Sequence, residues 1–370
     1  MSKTLASFLF CIYLFASLIR WVTPSNIFLT SLITIIGIVL LFINLKTSRL
    51  NLPFLYLLMM IIFLLLSSVA VYRYDRLGHT ILFVLMNGGV ALTLNKNLVQ
   101  TWAVKIVFYY WSIFFLYQIF IGADPDAVMK VVSHNGVSMM MLVTCISYYI
   151  VVHQNASKLP VWPAFLTFII SIWGIGRMGI LSSFIIFVGV LFVKFKARRV
   201  SAIFVGLTII AILNFYEKIL EFGSSFSFSR GSILNIVVKS EGDEPRFEIW
   251  SNYLKNLDTF RLIFGANVKT DPWPDGAELA YNYHNTFINL HSQTGLMGIL
   301  TLFILLLALF RLFWYDKIYF ILFAALFTRW FTDIGLYFES WDFLPFFFTF
   351  ITFFKLNVMK DNIAEKPTLG

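Results

Sequence analysis

The sequence predicts an all-α integral membrane protein of about twelve transmembrane helices, with one long polar loop containing a short helix. Three observations predict it. Of 370 residues, 59% are hydrophobic and only 13% are charged, too little charge for a soluble domain of this length. The mean hydropathy of +0.82 comes from repeated apolar runs of about 18 or more residues, the length at which a helix crosses a bilayer. Polarity pools instead between Glu217 and Tyr283, a stretch with ten carboxylates and seven basic residues.

Taken in order, the expected spans are 4–20, 26–43, 53–71, 79–94, 101–121, 129–152, 160–175, 178–194, 200–216, 285–313, 317–335 and 341–357. Pro24-Ser25-Asn26 closes the first, Pro53 opens the third, and Pro160 and Pro163 open the seventh, as helix breakers do. Lys3 and the apolar run after it resemble a signal peptide. No small-x-small cleavage site precedes Arg20-Trp21, so the first helix reads as uncleaved. No short internal repeat is visible. The chain reads as a single polytopic domain, 1–370, with the loop 217–283 inserted between spans nine and ten.

The net charge of +9 is scattered through short loops, which marks membrane topology and excludes a nucleic-acid surface. Lys3, Lys46 with Arg49, Lys96, Lys158, Lys194–Arg199, Arg311 with Lys317, and Lys355 with Lys360 all fall on one side. The other side carries Asp124, Asp126, Asp333, Glu339 and the long loop. Both termini are therefore expected in the cytoplasm, and the loop outside. Cys11 and Cys145 lie inside apolar runs, so neither a disulfide nor a metal site is expected.

Within the loop, Glu217–Phe222 continues the preceding helix and the Ser- and Gly-rich 224–232 is irregular. Phe247, Trp250 and Leu254 recur at helical spacing, supported by Ile249, Tyr253 and Leu257. They predict a helix over 245–258 with Pro245 in its first turn. Asp271-Pro-Trp-Pro-Asp-Gly276 reads as a rigid turn.

The candidate functional residues gather on the outer side. On a helical wheel His284, Asn285, Asn289, His291 and Ser292 share one arc. A polar face on the outer third of a spanning helix must line water, protein or ligand. His284 is the group that titrates near neutral pH. The alternative is a polar helix start satisfied at the interface. Arg177, in Gly174-Ile-Gly-Arg-Met-Gly179, fits a bidentate grip on phosphate, with flanking glycines that admit a bulky anion. It could equally snorkel to lipid headgroups. Arg246 opposes the dipole at the start of its expected helix, either to meet phosphate or to pair with Glu248 and the acidic run Glu241–Glu244. Arg73, Arg76 and Arg20 are further outer cations, for substrate or headgroups. Arg329, four residues before Asp333, suggests an intrahelical pair. There is no Walker loop, dinucleotide fingerprint, Cys/His metal spacing or Asp-x-Asp signature.

Arg246-Phe-Glu-Ile-Trp250, Leu262-Ile-Phe-Gly265, His284-Asn285 and Thr294-Gly-Leu-Met-Gly298 together resemble the core of the O-antigen polymerase and O-antigen ligase superfamily. That family's pattern is an Arg with an aromatic four residues on, a Gly turn, a His-Asn pair, and Gly-Leu-x-Gly leading into the next helix. Gly176-Arg177-Met-Gly179 looks like its Arg-Gly turn. The resemblance covers about 174–300. It departs from the family at Gly176, usually Ser, at Met178, and at Gly265-Ala-Asn267, which lacks a second glycine.

The resemblance implies a GT-C-like glycosyltransferase of the bacterial inner membrane, acting at the periplasmic face on undecaprenyl-diphosphate-linked donor and acceptor oligosaccharides. Arg177 and Arg246 would hold the donor diphosphate, and His284 would position or deprotonate the acceptor hydroxyl, with inversion. Asn285, Asn289, His291, Arg73 and Arg76 would bind substrate. Neither metal nor other cofactor is implied, because two guanidiniums can neutralise the leaving group. A flippase and a chain-length regulator are the implied protein partners, beside the lipid bilayer. A polymerase joins repeat units, whereas a ligase transfers the chain to lipid A–core. The second His in Asn289-Leu-His291-Ser292, the short tail and the Phe-rich spans favour the polymerase. A transporter is the third reading, disfavoured because polarity collects on one outer loop and not at the midplane.

Overall fold

A computed structural model describes residues 2–23, 27–46, 52–74, 77–129, 134–195, 244–269, 283, 285–330 and 339–355, with backbone alone at 46, 244–248 and 354–355. Among the described residues helix is the only regular secondary structure. The first membrane helices are α1 (Lys3–Val22), α2 (Ile27–Lys46), α3 (Leu52–Ala70), α4 (Leu77–Asn95) and α5 (Thr101–Phe120). The short α6 (Pro125–Val128) precedes α7 (Asn135–Gln154), α8 (Trp162–Trp173) and α9 (Arg177–Phe195). From the loop come α10 (Glu244–Lys255) and α11 (Thr259–Phe264). Then follow α12 (Thr286–Thr294), α13 (Leu296–Tyr315), α14 (Lys317–Trp330) and α15 (Phe343–Phe350), which runs on into a π-helical turn, Ile351–Lys355.

Eight of these helices, α1 to α5, α7, α9 and α13, are long and apolar enough to cross a membrane. The expected span 200–216 lies outside the described residues, as do 331–335 of the eleventh. The expected helix over 245–258 is present as α10. Two boundaries differ from expectation. The sixth span starts only at Asn135, after α6, whose Asp124 side chain caps the Asp126 amide at 3.0 Å. The tenth is not one helix over 285–313 but two, broken at Gly295. That residue has φ +55, and a Cβ there would lie 1.9 Å from the Ile263 carbonyl oxygen. Close approach of α11 forces the break, and only glycine permits it.

The centre of the bundle is α7. Every residue from Gly136 to Val152 is buried, because α1, α5, α8, α9 and α14 surround it. It is correspondingly apolar on all faces, the pattern of a fully enclosed helix. Beside it, α4 packs against α2, α3 and α15. The α2–α4 crossing is close enough that a Cβ on Gly89 would meet the Gly37 carbonyl oxygen at 2.2 Å and the Leu41 nitrogen at 2.5 Å. Small residues at such crossings let backbones touch where lipid supplies no hydrophobic drive. The outer faces expose Phe28, Phe42, Leu65, Ile113 and Phe310, the apolar surface a bilayer requires.

Polar contacts collect at the two ends of the bundle. At one end Gln100 N donates to Ser7 Oγ (2.8 Å), Asn44 Nδ2 to Thr93 Oγ1 (2.8 Å), and His153 Nε2 meets Asp316 Oδ2 at 2.8 Å. At the other, Arg73, just past the end of α3, donates to the carbonyls of Ser292 (2.9 Å) and Gln293 (2.6 Å). Consecutive described spans therefore run up and down. The α2–α4 contact is directly testable: Gly89→Ala should destabilise the purified protein by roughly 1–3 kcal/mol through overpacking, read as a lowered denaturation midpoint in detergent.

Candidate functional site

The loop helix α10 is amphipathic, and it buries Ile249 and Tyr253 against Ala266, Tyr283 and the α12 residue Ile288. Ile249, Tyr253, Ala266 and Tyr283 form a small core of their own, flanked by Trp250, Leu257, Val268 and Ile288. Hydrogen bonds set its register. Trp250 Nε1 donates to the Tyr283 carbonyl at 2.7 Å, and the Tyr253 hydroxyl lies 2.6 Å from His291 Nδ1. His291 Nε2 lies 3.1 Å from the Leu262 carbonyl. A carbonyl only accepts, so Nε2 carries the proton and Nδ1 accepts from Tyr253. His291 is thus a neutral histidine 7% exposed, held at both nitrogens.

Two glycines bring this unit against the membrane helices. Gly265 ends α11 with φ +81, where a Cβ would sit 2.2 Å from the Ser292 carbonyl oxygen. Gly295 ends α12 in the reciprocal position against Ile263 and Phe264. Across this seam Ala266 N donates to the Ser292 carbonyl at 2.9 Å. Arg73, just past the end of α3, closes the seam. Its Nη1 donates to the carbonyls of Ala266 (3.2 Å) and Ser292 (2.9 Å), and its Nη2 to that of Gln293 (2.6 Å). Ser67 donates to the Phe264 carbonyl beside it. A cation at the C-terminus of α12 also complements the helix dipole. Burial pulls the Arg73 pKa down to about 10, with Tyr283 and Tyr253 opposing the shift; it remains a cation at neutral pH.

The expected site residues divide between the described and the rest. Asn285 is the N-cap of α12, its Oδ1 accepting from Phe287 N (2.9 Å) and Ile288 N (3.1 Å). Asn289 Oδ1 accepts from Gln293 Nε2 at 3.2 Å. The expected polar arc is therefore in large part bonded within the protein. Arg177 is exposed at the start of α9. Its turn packs on the first turn of α7, where a Cβ on Gly176 would meet Asn135 Oδ1 at 2.6 Å and one on Gly174 would meet Val137 at 3.0 Å. α14 bridges the two regions. It packs on α9, and its Phe327 ring lies 5.0 Å from Phe287 of α12.

Arg246 lies in the first turn of α10, with its side chain outside the described residues. His284, Arg76, Asp333, the stretch 217–232 and the turn 271–276 lie outside them too. The residues on either side of His284 are described, and both are anchored: Tyr283 by Trp250, and Asn285 as the cap of α12. Among the described residues no three His, Cys, Asp or Glu side chains gather into a metal-binding group. Sequence reasoning did not foresee the bonds of Trp250 and Tyr253. Their helical spacing was visible, but their polar partners lie 33 and 38 residues away.

Fold and site together define an all-α, multi-pass membrane protein with a loop-derived helical unit clasped to one end of its bundle. No protein family, curated protein or solved structure matches the chain.

Burial lowers the His291 pKa, partly offset by its bond to Leu262. The unfolded histidine takes up a proton as the pH falls through about 6.5, while the folded one stays neutral. The stability contributed here is complete above about pH 6.5 and is lost as the pH falls towards the folded value. Amide protection of α12, corrected for intrinsic exchange, should therefore drop between about pH 7.5 and pH 5.5. His291→Asn should flatten that dependence. Tyr253→Phe, which leaves Nδ1 unpaired, should cost about 1–3 kcal/mol, measured by the same exchange.

Proposed function

We propose that the chain is a polymerase of O-antigen or a related surface polysaccharide in a bacterial inner membrane. In this reading it has twelve spans of GT-C-like character: the eight long helices, α8, α14 and α15, and the segment 200–216. Lys96, Lys158, Lys194, Arg311 and Lys317 then face the cytoplasm with both termini, and the clasped unit faces the periplasm.

The observation that carries the reading is the docking of α10 on α12. It ties the helix bearing Arg246 to Tyr283 through Trp250 and to the helix that Asn285 caps through Tyr253 and His291, at the end of the bundle where Arg177 opens α9. A titratable imidazole and two guanidiniums on an otherwise oily scaffold suit inverting transfer from a lipid diphosphate. The acceptor hydroxyl attacks the anomeric carbon from the face opposite the diphosphate, and His284 orients it or takes its proton. The C–O bond to the diphosphate breaks, and the departing oxygens carry the electron pair towards Arg177 and Arg246. Preorganised cations at such a leaving group need no metal. Asn285, Asn289 and His291 then support the acceptor side of the site.

Two experiments test this. Deleting the gene should leave core bearing a single repeat; bare core with polymer accumulating on lipid would assign the ligase activity instead. In the purified protein, Arg177→Ala, Arg246→Ala and His284→Ala should each reduce extension of lipid-linked repeats by at least about 100-fold. Undiminished extension by these variants would refute the catalytic assignment.

A further inference from the structure

Tyr13, in the middle of α1, and Asn87 on α4 form a polar node with the segment 339–343. The Tyr13 hydroxyl shares its proton between Asn87 Oδ1 (2.9 Å) and the Ser340 carbonyl (2.6 Å). Asn87 also accepts from Phe343 N at 3.0 Å and donates to the carbonyls of Phe83 and Glu339. Every polar atom of Asn87 is thus used. Around it three buried polar atoms have no hydrogen-bond partner: Arg20 Nη1, Ser340 Oγ and Trp341 Nε1. Ser340 is 0% exposed and Trp341 2% exposed. Leaving such groups unpaired is costly, and most buried polar atoms in folded proteins are paired.

The same place is lined by aromatic rings. The Arg20 guanidinium lies over Phe83 at 5.6 Å, and the Trp21 and Trp341 rings stand nearly perpendicular with centroids 4.0 Å apart. Arg20 is half-buried as a residue, although its Nη1 is enclosed. Its charge favours the C-terminal end of α1, which explains a cation there but not a buried nitrogen without an acceptor. The carboxylate of Asp342, whose Oδ2 accepts from Glu339 N at 2.7 Å, adds a negative charge close by. A simple anion therefore fits poorly. Donors that cannot accept, a hydroxyl that does both, a carboxylate and flat apolar rings match a hydroxyl-rich ring with an apolar face.

We propose that Arg20, Ser340 and Trp341, with the Trp21 ring, form a second ligand site that holds a sugar unit of a membrane glycolipid. This rests on the reading of the chain as a protein that handles lipid-linked sugars, and it adds a sugar site apart from the α10–α12 unit.

The test uses the purified full chain in phosphatidylcholine nanodiscs. The probe is the glycolipid fraction extracted from the source cells, intact or after mild acid has released its sugars. The intact fraction should raise the thermal midpoint by about 2 °C or more, and the acid-treated fraction should not. Ser340→Ala and Trp341→Phe remove the unpartnered atoms; the first keeps the packing, and the second leaves a small cavity beside Trp21. Ser340→Ala should fold with an unliganded midpoint no lower than wild type and Trp341→Phe with one somewhat lower, and both should lose the shift measured from their own unliganded midpoints. No shift in the wild-type protein, or an equal shift in the two variants, would overturn the site. An equal shift from the acid-treated lipid would overturn the assignment to sugar. The binding shift is read without turnover, so a wild-type protein that binds glycolipid yet extends no chain would count against the polymerase and not against this site.

Discussion

The structure at the end of the bundle that carries α10 to α12 depends on how Arg73 is bonded. A polar segment emerging from a membrane bundle has few apolar faces with which to hold its position, and its backbone carbonyls need donors. Arg73 supplies them from the end of α3. Its planar, permanently charged fork suits several acceptors at once, and it takes the carbonyls of Ala266, Ser292 and Gln293 together. Hydrogen bonds to charged groups contribute about 1.5–3 kcal/mol each. This clasp therefore outweighs any single apolar contact in the small core around Tyr253. It works only because Gly265 and Gly295 bring the ends of α11 and α12 into backbone contact.

The clasp bears on the proposed chemistry. Arg73 is committed to protein carbonyls through both terminal nitrogens, and His291 is held neutral between Tyr253 and Leu262. These groups build the platform, and the diphosphate in the proposed reaction falls to Arg177 and Arg246. His284 would gain its orientation from its neighbours, since Trp250 holds the carbonyl of Tyr283 and Asn285 caps α12. On this proposal His284 would do the chemistry, and His291, held at both nitrogens, would keep the platform in place.

Much of this fold was legible in the sequence, and the gaps have physical causes. Apolar run length located the helices because burial and lipid contact demand the same residues over the same length. The loop helix α10 was readable from the spacing of Phe247, Trp250 and Leu254, with Ile249, Tyr253 and Leu257 in support. In the structure it is Ile249 and Tyr253 that are buried and Leu254 that is exposed. The break at Gly295 was not: a lone glycine in an apolar run is common in membrane helices, and only the approach of Ile263 makes this one a hinge. Arg73 was legible as an outer cation, but its partners lie about 200 residues along the chain, and no local pattern encodes such a pairing. His291 showed the same limit. Its place on the polar arc was correct, yet the arc turned inward to Tyr253, so polarity marked a buried contact in the protein.

One measurement bears most directly on the account: hydrogen–deuterium exchange, resolved by peptide, on wild type and on Arg73→Met, which keeps the chain length and removes the charge and donors. The account predicts that α10, α11 and α12 lose protection together while α7, enclosed by its neighbours, is unchanged. Unaltered protection across 249–266 and 285–295 in the variant would contradict it.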